Sequence, residues 1–265
     1  MKKGMNEFGI EPGITREEEF KRLAAAGFDG VEFNLDAPLS AEEIAEVKAL
    51  IAKYGVKVLS LVSNKLWEFH LTANCDECRE KAKEQVKMLV TTAAELGADS
   101  VLVVPGVVNE KVSYQDAYNN AFKSFTELKP FIEEHKINVC VENVWNKIFL
   151  SPLEMRDFID KIDSPYVRSY FDAGNVLINS YPEYWIEILG DRIKKVHIKD
   201  FKREIGNITG FVDLLEGDMD WGKLMAALRK VGYDDFVTVE VPYYASNPDF
   251  FAKRTSMALD TIFAM

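Results

Sequence analysis

The stretch Lys195-Val196-His197-Ile198-Lys199-Asp200 reads as a short buried strand that turns polar at its end. It carries one of only three histidines in the chain. A neutral imidazole is the commonest metal ligand among protein side chains. Three other segments share the design, an apolar run with one carboxylate near its C-terminal end. They are Val139-Cys140-Val141-Glu142-Asn143, Tyr170-Phe171-Asp172-Ala173-Gly174-Asn175 and Val237-Thr238-Val239-Glu240-Val241-Pro242. In chain order the four segments supply Glu, Asp, His and Glu.

Working outward, apolar β-branched runs alternate with long amphipathic runs from one end of the chain to the other. The runs predict eight strands, at Glu7–Ile10, Gly30–Asn34, Lys57–Val62, Ser100–Pro105, Asn138–Asn143, Arg168–Asp172, Lys195–Lys199 and Phe236–Val241. Helices between them have legible starts. Thr15 with Glu18, Ser40 with Glu43 and Ser151 with Glu154 have capping-box spacing, and Pro152 suits a first helical position. Gly27, Gly55, Gly97 and Gly232 stand where a helix ends in a left-handed turn. Further helices are predicted over Asp76–Leu96, Ser113–His135, Pro182–Leu189, Trp221–Val231 and Pro248–Phe263.

Eight strands alternating with eight helices, with no linker or charge block, predict one domain over residues 1–265. Continuously apolar strands are buried on both faces, as in a parallel sheet. The length suits a closed (β/α)₈ barrel, an α/β fold of typically ~250 residues. An open doubly wound sheet would carry a Gly-rich phosphate turn after its first strand. The segment Ile10-Glu11-Pro12-Gly13-Ile14-Thr15 has no such fingerprint.

Composition narrows the function. The chain is 48% hydrophobic and 28% charged, so it can bury a full core. A net charge of -11 argues against a nucleic-acid partner, which needs clustered Lys and Arg. No apolar run approaches the ~20 residues that span a bilayer. Lys2 and Lys3 are not followed by a signal-peptide core. Three cysteines are too few for a disulfide framework and suit a reducing cytoplasm.

In such a barrel the active site lies at the C-terminal ends of the strands. Glu142, Asp172, His197 and Glu240 would all stand there, on four neighbouring strands. Any one alone reads as a solvated strand end; four in the same position read as a site. Four ionisable groups pressed together would shift one another's pKa values, and a divalent metal resolves the conflict. The oxygen-rich set favours Mn²⁺, with Mg²⁺, Co²⁺ or Zn²⁺ also compatible.

These residues resemble the xylose-isomerase-like TIM-barrel superfamily, in its group of sugar and sugar-phosphate isomerases and epimerases. The resemblance runs nearly end to end. It includes Ala26-Gly27-Phe28-Asp29-Gly30-Val31-Glu32, Glu142-Asn143, Asp172-Ala173-Gly174-Asn175, Val196-His197-Ile198-Lys199-Asp200 and Glu216-Gly217-Asp218-Met219-Asp220-Trp221. Gly232-Tyr233 leading into Val239-Glu240 completes it. The resemblance implies one divalent metal on Glu142, Asp172, His197 and Glu240, with the two glutamates moving protons. The implied reaction removes a proton beside a sugar carbonyl, with the metal stabilising the enediolate charge. It also implies a small-molecule sugar substrate and, among relatives, frequent dimers or tetramers. Arg203, six residues after His197, has a spacing similar to that of a substrate-binding Arg in ketose 3-epimerases. Two departures count against free-ketose 3-epimerase specificity: Asn175 where those enzymes have His, and Ile148 where they have a second substrate Glu.

Other candidates for substrate contact are Lys199 and Glu32 at strand ends, Trp67 and His70 in the loop after the third strand, and Trp145 after Glu142. Lys199 and Asp200 either orient hydroxyls or pair with each other. The long loop Phe201–Asp218 has the length of a lid. Cys75-Asp76-Glu77-Cys78 has C-x-x-C spacing but stands alone, so it reads as a helix start and not as a zinc knuckle. His135 falls in a helix's last turn, with no role assigned. Alternative readings are a lyase on the same scaffold (an inosose-type dehydratase or a C-glycoside-cleaving subunit), an abasic-site endonuclease, and a non-catalytic sugar-binding protein. The endonucleases use three metals and many more histidines than this chain has.

Overall fold

A computed structural model describes residues 1–265. Eight parallel strands close into a barrel: β1 (Lys2–Asn6), β2 (Gly30–Asn34), β3 (Lys57–Val62), β4 (Ser100–Val103), β5 (Asn138–Glu142), β6 (Val167–Asp172), β7 (Ile193–Ile198) and β10 (Phe236–Val239). The two-residue strands β8 (Asp200–Phe201) and β9 (Phe211–Val212) form a separate antiparallel hairpin. The helices are α1 (Arg16–Ala26), α2 (Ala41–Tyr54), α3 (Asp76–Leu96), α4 (Tyr114–His135), α5 (Pro152–Ile162), α6 (Ala173–Val176), α7 (Pro182–Leu189), α8 (Trp221–Lys230) and α9 (Pro248–Phe263). No helix is long and apolar enough to cross a membrane.

Strand alternation divides the core in two. Val31, Val101, Val139, Phe171, Val196 and Val237 join the helices in the main apolar layer. Leu102, Val104, Cys140 and Tyr170 form a small separate cluster. The same alternation puts Lys195, His197 and Lys199 on one face of β7 and its extension. Lys195 is buried at the bottom of the barrel, where its ammonium pairs with Asp235 at 2.5 Å and Asp99 at 2.9 Å.

The first strand differs from the prediction. It is Lys2–Asn6, and Glu7–Gly9 is a 3-10 turn capped by Asn6, whose side chain accepts from Phe8 N. Lys2 and Lys3 masked it, because their charged ends leave the strand by its rim. Lys2 lies over the Phe236 ring and Lys3 reaches Asp260 at 2.6 Å. Gly4 is the other reason: a Cβ there would stand 2.5 Å from Thr238 Oγ1, so the strand carries no side chain at its closest crossing.

The helix boundaries follow the capping logic. Both sides of the box form at Thr15/Glu18 and Ser40/Glu43. At Ser151 only half forms, because Glu154 accepts instead from Leu150 N at 3.0 Å and from the Tyr114 hydroxyl. Cys75 caps α3, its Sγ accepting from Cys78 N at 3.3 Å, as the helix-start reading expects. The loop Phe201–Asp218 folds back as the β8–β9 hairpin.

Candidate functional site

The C-terminal ends of the strands open into a cleft of about 1300 Å³. Of the four-residue set predicted above, Glu142, His197 and Glu240 line its floor and Asp172 is buried just behind them. Glu142 ends β5, Asp172 ends β6, His197 is on β7, and Glu240 follows β10. One ligand atom from each lies within 4.8 Å of all the others. His197 Nδ1 stands 3.0 Å from Glu142 Oε1 and 3.9 Å from Glu240 Oε2. Glu142, Asp172 and His197 are buried, while the Glu240 side chain is 29% exposed toward the cleft.

Register explains the convergence. Glu142 pairs with Tyr170 and Asp172 with His197, so the set steps up by two residues from β5 to β6, and the tilt of barrel strands turns that stagger into convergence at one rim. Asp172 is further clamped by Asn143, whose side chain accepts from Asp172 N at 2.9 Å and donates to its carbonyl at 2.8 Å. Asn175 N donates to Asp172 Oδ1 at 2.9 Å, which starts the short helix α6. Gly174 is required there: a Cβ would meet Lys199 Cγ at 2.4 Å. That close approach accounts for the Asp-Ala-Gly-Asn motif.

Lys199 enters from the same face as His197. Its ammonium donates to Asp172 Oδ2 at 2.5 Å and to Glu240 Oε2. Lys199 and Asp200 therefore do not pair, because consecutive residues of extended chain face opposite ways. Asp200 instead accepts from Phe201 N, Met219 N and Trp221 Nε1, fastening the hairpin loop.

The charges perturb one another. Burial pushes the Glu142 carboxyl up to about 7, against the partial relief given by His197. Burial also raises Asp172, with Lys199 opposing. At Glu240 burial again raises the pKa, but the Lys199 and His197 charges outweigh it and the net shift is downward. His197 is held well above its usual value: burial lowers it, and Glu32 and Glu142 more than reverse that.

The other predicted contacts divide. Asn175, Trp67, Trp145 and Lys199 line the cleft. Trp145 donates its Nε1–H to Asn175 O at 2.8 Å and packs on Phe211, so the hairpin forms part of the wall. Arg203, His70 and Glu32 do not line it. Arg203 is exposed on the outer side of the hairpin, over the Tyr181 ring and 3.3 Å from Ser180 O. His70 packs beside Gly106, where a Cβ would stand 2.8 Å from its own, and burial lowers its pKa. Glu32 lies completely buried beneath His197, accepting from Nε2 at 2.8 Å.

Sequence reading missed the wall formed after β1. Glu7, Phe8, Ile10, Arg16 and Glu19 all line the cleft, and the misplaced first strand hid them. Arg16 bridges Glu7 and Glu19, 2.7 Å from the latter. Burial, reinforced by the Glu7 charge, raises Glu19 from 4.5 to about 7. The folded state therefore holds a proton that the unfolded chain releases near 4.5. Stability from this group is full below that value and is lost as pH rises through about 7. The expected loss is about 3 kcal/mol across the window. Urea midpoints between pH 5 and 8 should fall in the parent and flatten in Glu19→Gln.

The donor set suits a divalent ion. Three carboxylate oxygens and one imidazole nitrogen lie within 4.8 Å of one another, close to the span that bonds of ~2.0–2.3 Å to a shared centre permit. Comparisons with known proteins agree with the fold. An inosose dehydratase of Bacillus thuringiensis (strain Al Hakam) is 22% identical over 216 residues, covering 77% of this chain and 69% of that protein. An inosose isomerase of Bacillus velezensis is 24% identical over 253 residues, covering 91% and 88%. Among solved structures, a D-psicose 3-epimerase in the presence of D-fructose matches with a TM-score of 0.84 at 15% identity, over 100% of both chains. The 3-keto-D-glucoside 4-epimerase of E. coli matches at 0.82 and 19%, also over 100% of both. An IolI protein with a bound zinc atom matches at 0.80 and 17%, over 99% of this chain and 96% of that one. The model for "Xylose isomerase-like TIM barrel" matches residues 20–259, and the chain belongs to that family.

Proposed function

We propose that this chain, a single domain over residues 1–265, is a divalent-metal-dependent isomerase or epimerase of a small sugar or sugar derivative, acting in the cytoplasm. One observation carries the reading: four ligand atoms from the ends of four neighbouring barrel strands lie within 4.8 Å of one another, and three of the four residues line an open cleft. Glu142, Asp172, His197 and Glu240 would hold the ion, with Mn²⁺ favoured by the oxygen-rich set. Bound there, the metal would supply Lewis-acid polarisation of the substrate carbonyl.

The chain's own residues supply the proton traffic. One glutamate takes the proton from the carbon beside the carbonyl, and that C–H electron pair moves toward the carbonyl oxygen. The other glutamate returns a proton, to the opposite face for epimerisation or to the neighbouring carbon for isomerisation. Glu240 faces the cleft and Lys199 holds it ionised, which suits a base. Glu142 is buried beside His197, on the far side of the set from Lys199, and is the second carboxylate placed to give a proton back. Asn143, Asn175 and Trp145 hold the floor in register with the aromatic wall.

The inosose dehydratase relatives favour a second reading, in which the same electron pair expels a neighbouring hydroxyl as water. Ketoses, keto-inositols and 3-keto-glycosides incubated in D₂O with Mn²⁺-loaded protein separate the two. Deuterium uptake with retained mass balance supports isomerase or epimerase chemistry, and loss of water supports the lyase. No exchange and no elimination with any of them would overturn both.

A further inference from the structure

Bulky branched residues normally fill the interior of such a barrel. Beneath His197 this one is polar: Asn6, Glu32, Ser60, Tyr170 and Thr238 are all buried there. An ionised carboxylate out of water costs several kcal/mol, and apolar replacement of such groups is often neutral or stabilising. Stability therefore does not account for a glutamate at this position.

The contacts suggest what does. Glu32 reaches from β2 across the barrel to β7, and its Oε1 accepts from His197 Nε2 at 2.8 Å. The same oxygen accepts from Asn6 Nδ2 at 2.6 Å. Asn6 is itself held by the turn after β1, accepting from Phe8 N at 2.7 Å. The Tyr170 ring lies against the imidazole with centroids 4.5 Å apart. The ring is thus held by a face contact and a bond from below, with Nδ1 turned up toward Glu142 and Glu240.

We propose that Glu32 is a positioning residue that fixes both the orientation and the tautomer of His197, so that Nδ1 is the nitrogen offered to a metal. An ionised carboxylate can only accept, so Nε2 keeps its proton, and Nδ1 is the nitrogen left to give one up to an incoming metal. The inference rests on the metal reading above. Partners of this kind set metal affinity as well as geometry.

The test is Mn²⁺ affinity, read as free Mn²⁺ by electron paramagnetic resonance, beside the thermal midpoint of the metal-free protein. Glu32→Gln, whose amide can serve either tautomer, should weaken binding about 10–100-fold. Its midpoint should stay within a few degrees of the parent. A merely structural role would do the reverse, lowering the midpoint and leaving affinity alone. Glu32→Asp keeps the charge but withdraws it by one methylene from Nε2, and should weaken binding by more than threefold though by less than Glu32→Gln does. Affinity within threefold of the parent in Glu32→Gln, or in Glu32→Asp if the amide variant does not fold, overturns the proposal. A parent that binds none of Mn²⁺, Mg²⁺, Co²⁺ or Zn²⁺ stoichiometrically overturns the metal reading, and this inference with it.

Discussion

Glu142→Gln and Glu240→Gln should each slow net conversion of the substrate by about 10²–10⁴-fold, the usual worth of a positioned acid or base. The informative result is which exchange survives. If the two glutamates address opposite faces, each variant keeps one. One should still wash deuterium into the first epimer and not the second, and the other should do the opposite. The double variant should be little worse than either single one, because groups acting as a unit are not additive. The structure gives each side chain its own support, so neither exchange should collapse the other. Glu142 is pinned by His197 and Glu240 by Lys199. Equal loss of exchange from both epimers in both variants would instead mean one base serving one face. Proton NMR in D₂O, starting separately from each epimer, reads the difference.

Much of this arrangement is legible in the sequence. The clustering of Glu142, Asp172, His197 and Glu240 is legible because a carboxylate or histidine at the end of a β-branched run is conspicuous, and barrel geometry brings strand ends together. Seven strands came out close to their observed bounds for the same reason. The first did not, because Lys2-Lys3-Gly4 carries almost no apolar signal; its burial depends on lysine stems and on a glycine that makes room for Thr238. That error hid the Glu7, Arg16 and Glu19 wall. Arg203 was inferred from spacing, but the β8–β9 hairpin turns it outward. Spacing along a chain does not reveal a reversal of direction. Glu32 was recognised as a candidate but placed at the rim. Only the contact from β2 across to His197 shows that it lies underneath the imidazole.

Lys199 is where sequence could not choose, and it carries the second large expectation. Lys199→Met should lower the thermal midpoint of the metal-free protein by about 6–20 °C. The reasoning starts from its partners: Asp172 is fully buried and Glu240 partly so, and both point at the ammonium. Removing one member of such a cluster costs about 3–5 kcal/mol, because the remaining charges are left unpaired. In a chain of this size each kcal/mol moves the midpoint by about 2–4 °C. The drop should be larger at pH 8 than at pH 5. Without the lysine, burial raises both carboxyls above their unfolded values, so stability is retained below those values and lost as pH rises through the folded ones. Saturating Mn²⁺ should close most of the gap, since an ion shared by the same carboxylates supplies the missing positive charge and stabilises the folded state by mass action. Differential scanning fluorimetry at two pH values, with chelator and with Mn²⁺, tests all three. A metal-free midpoint within 2 °C of the parent at both pH values would show that the ammonium contributes little to the set. A gap that Mn²⁺ leaves unchanged would count against the ion sharing Asp172 and Glu240 at all.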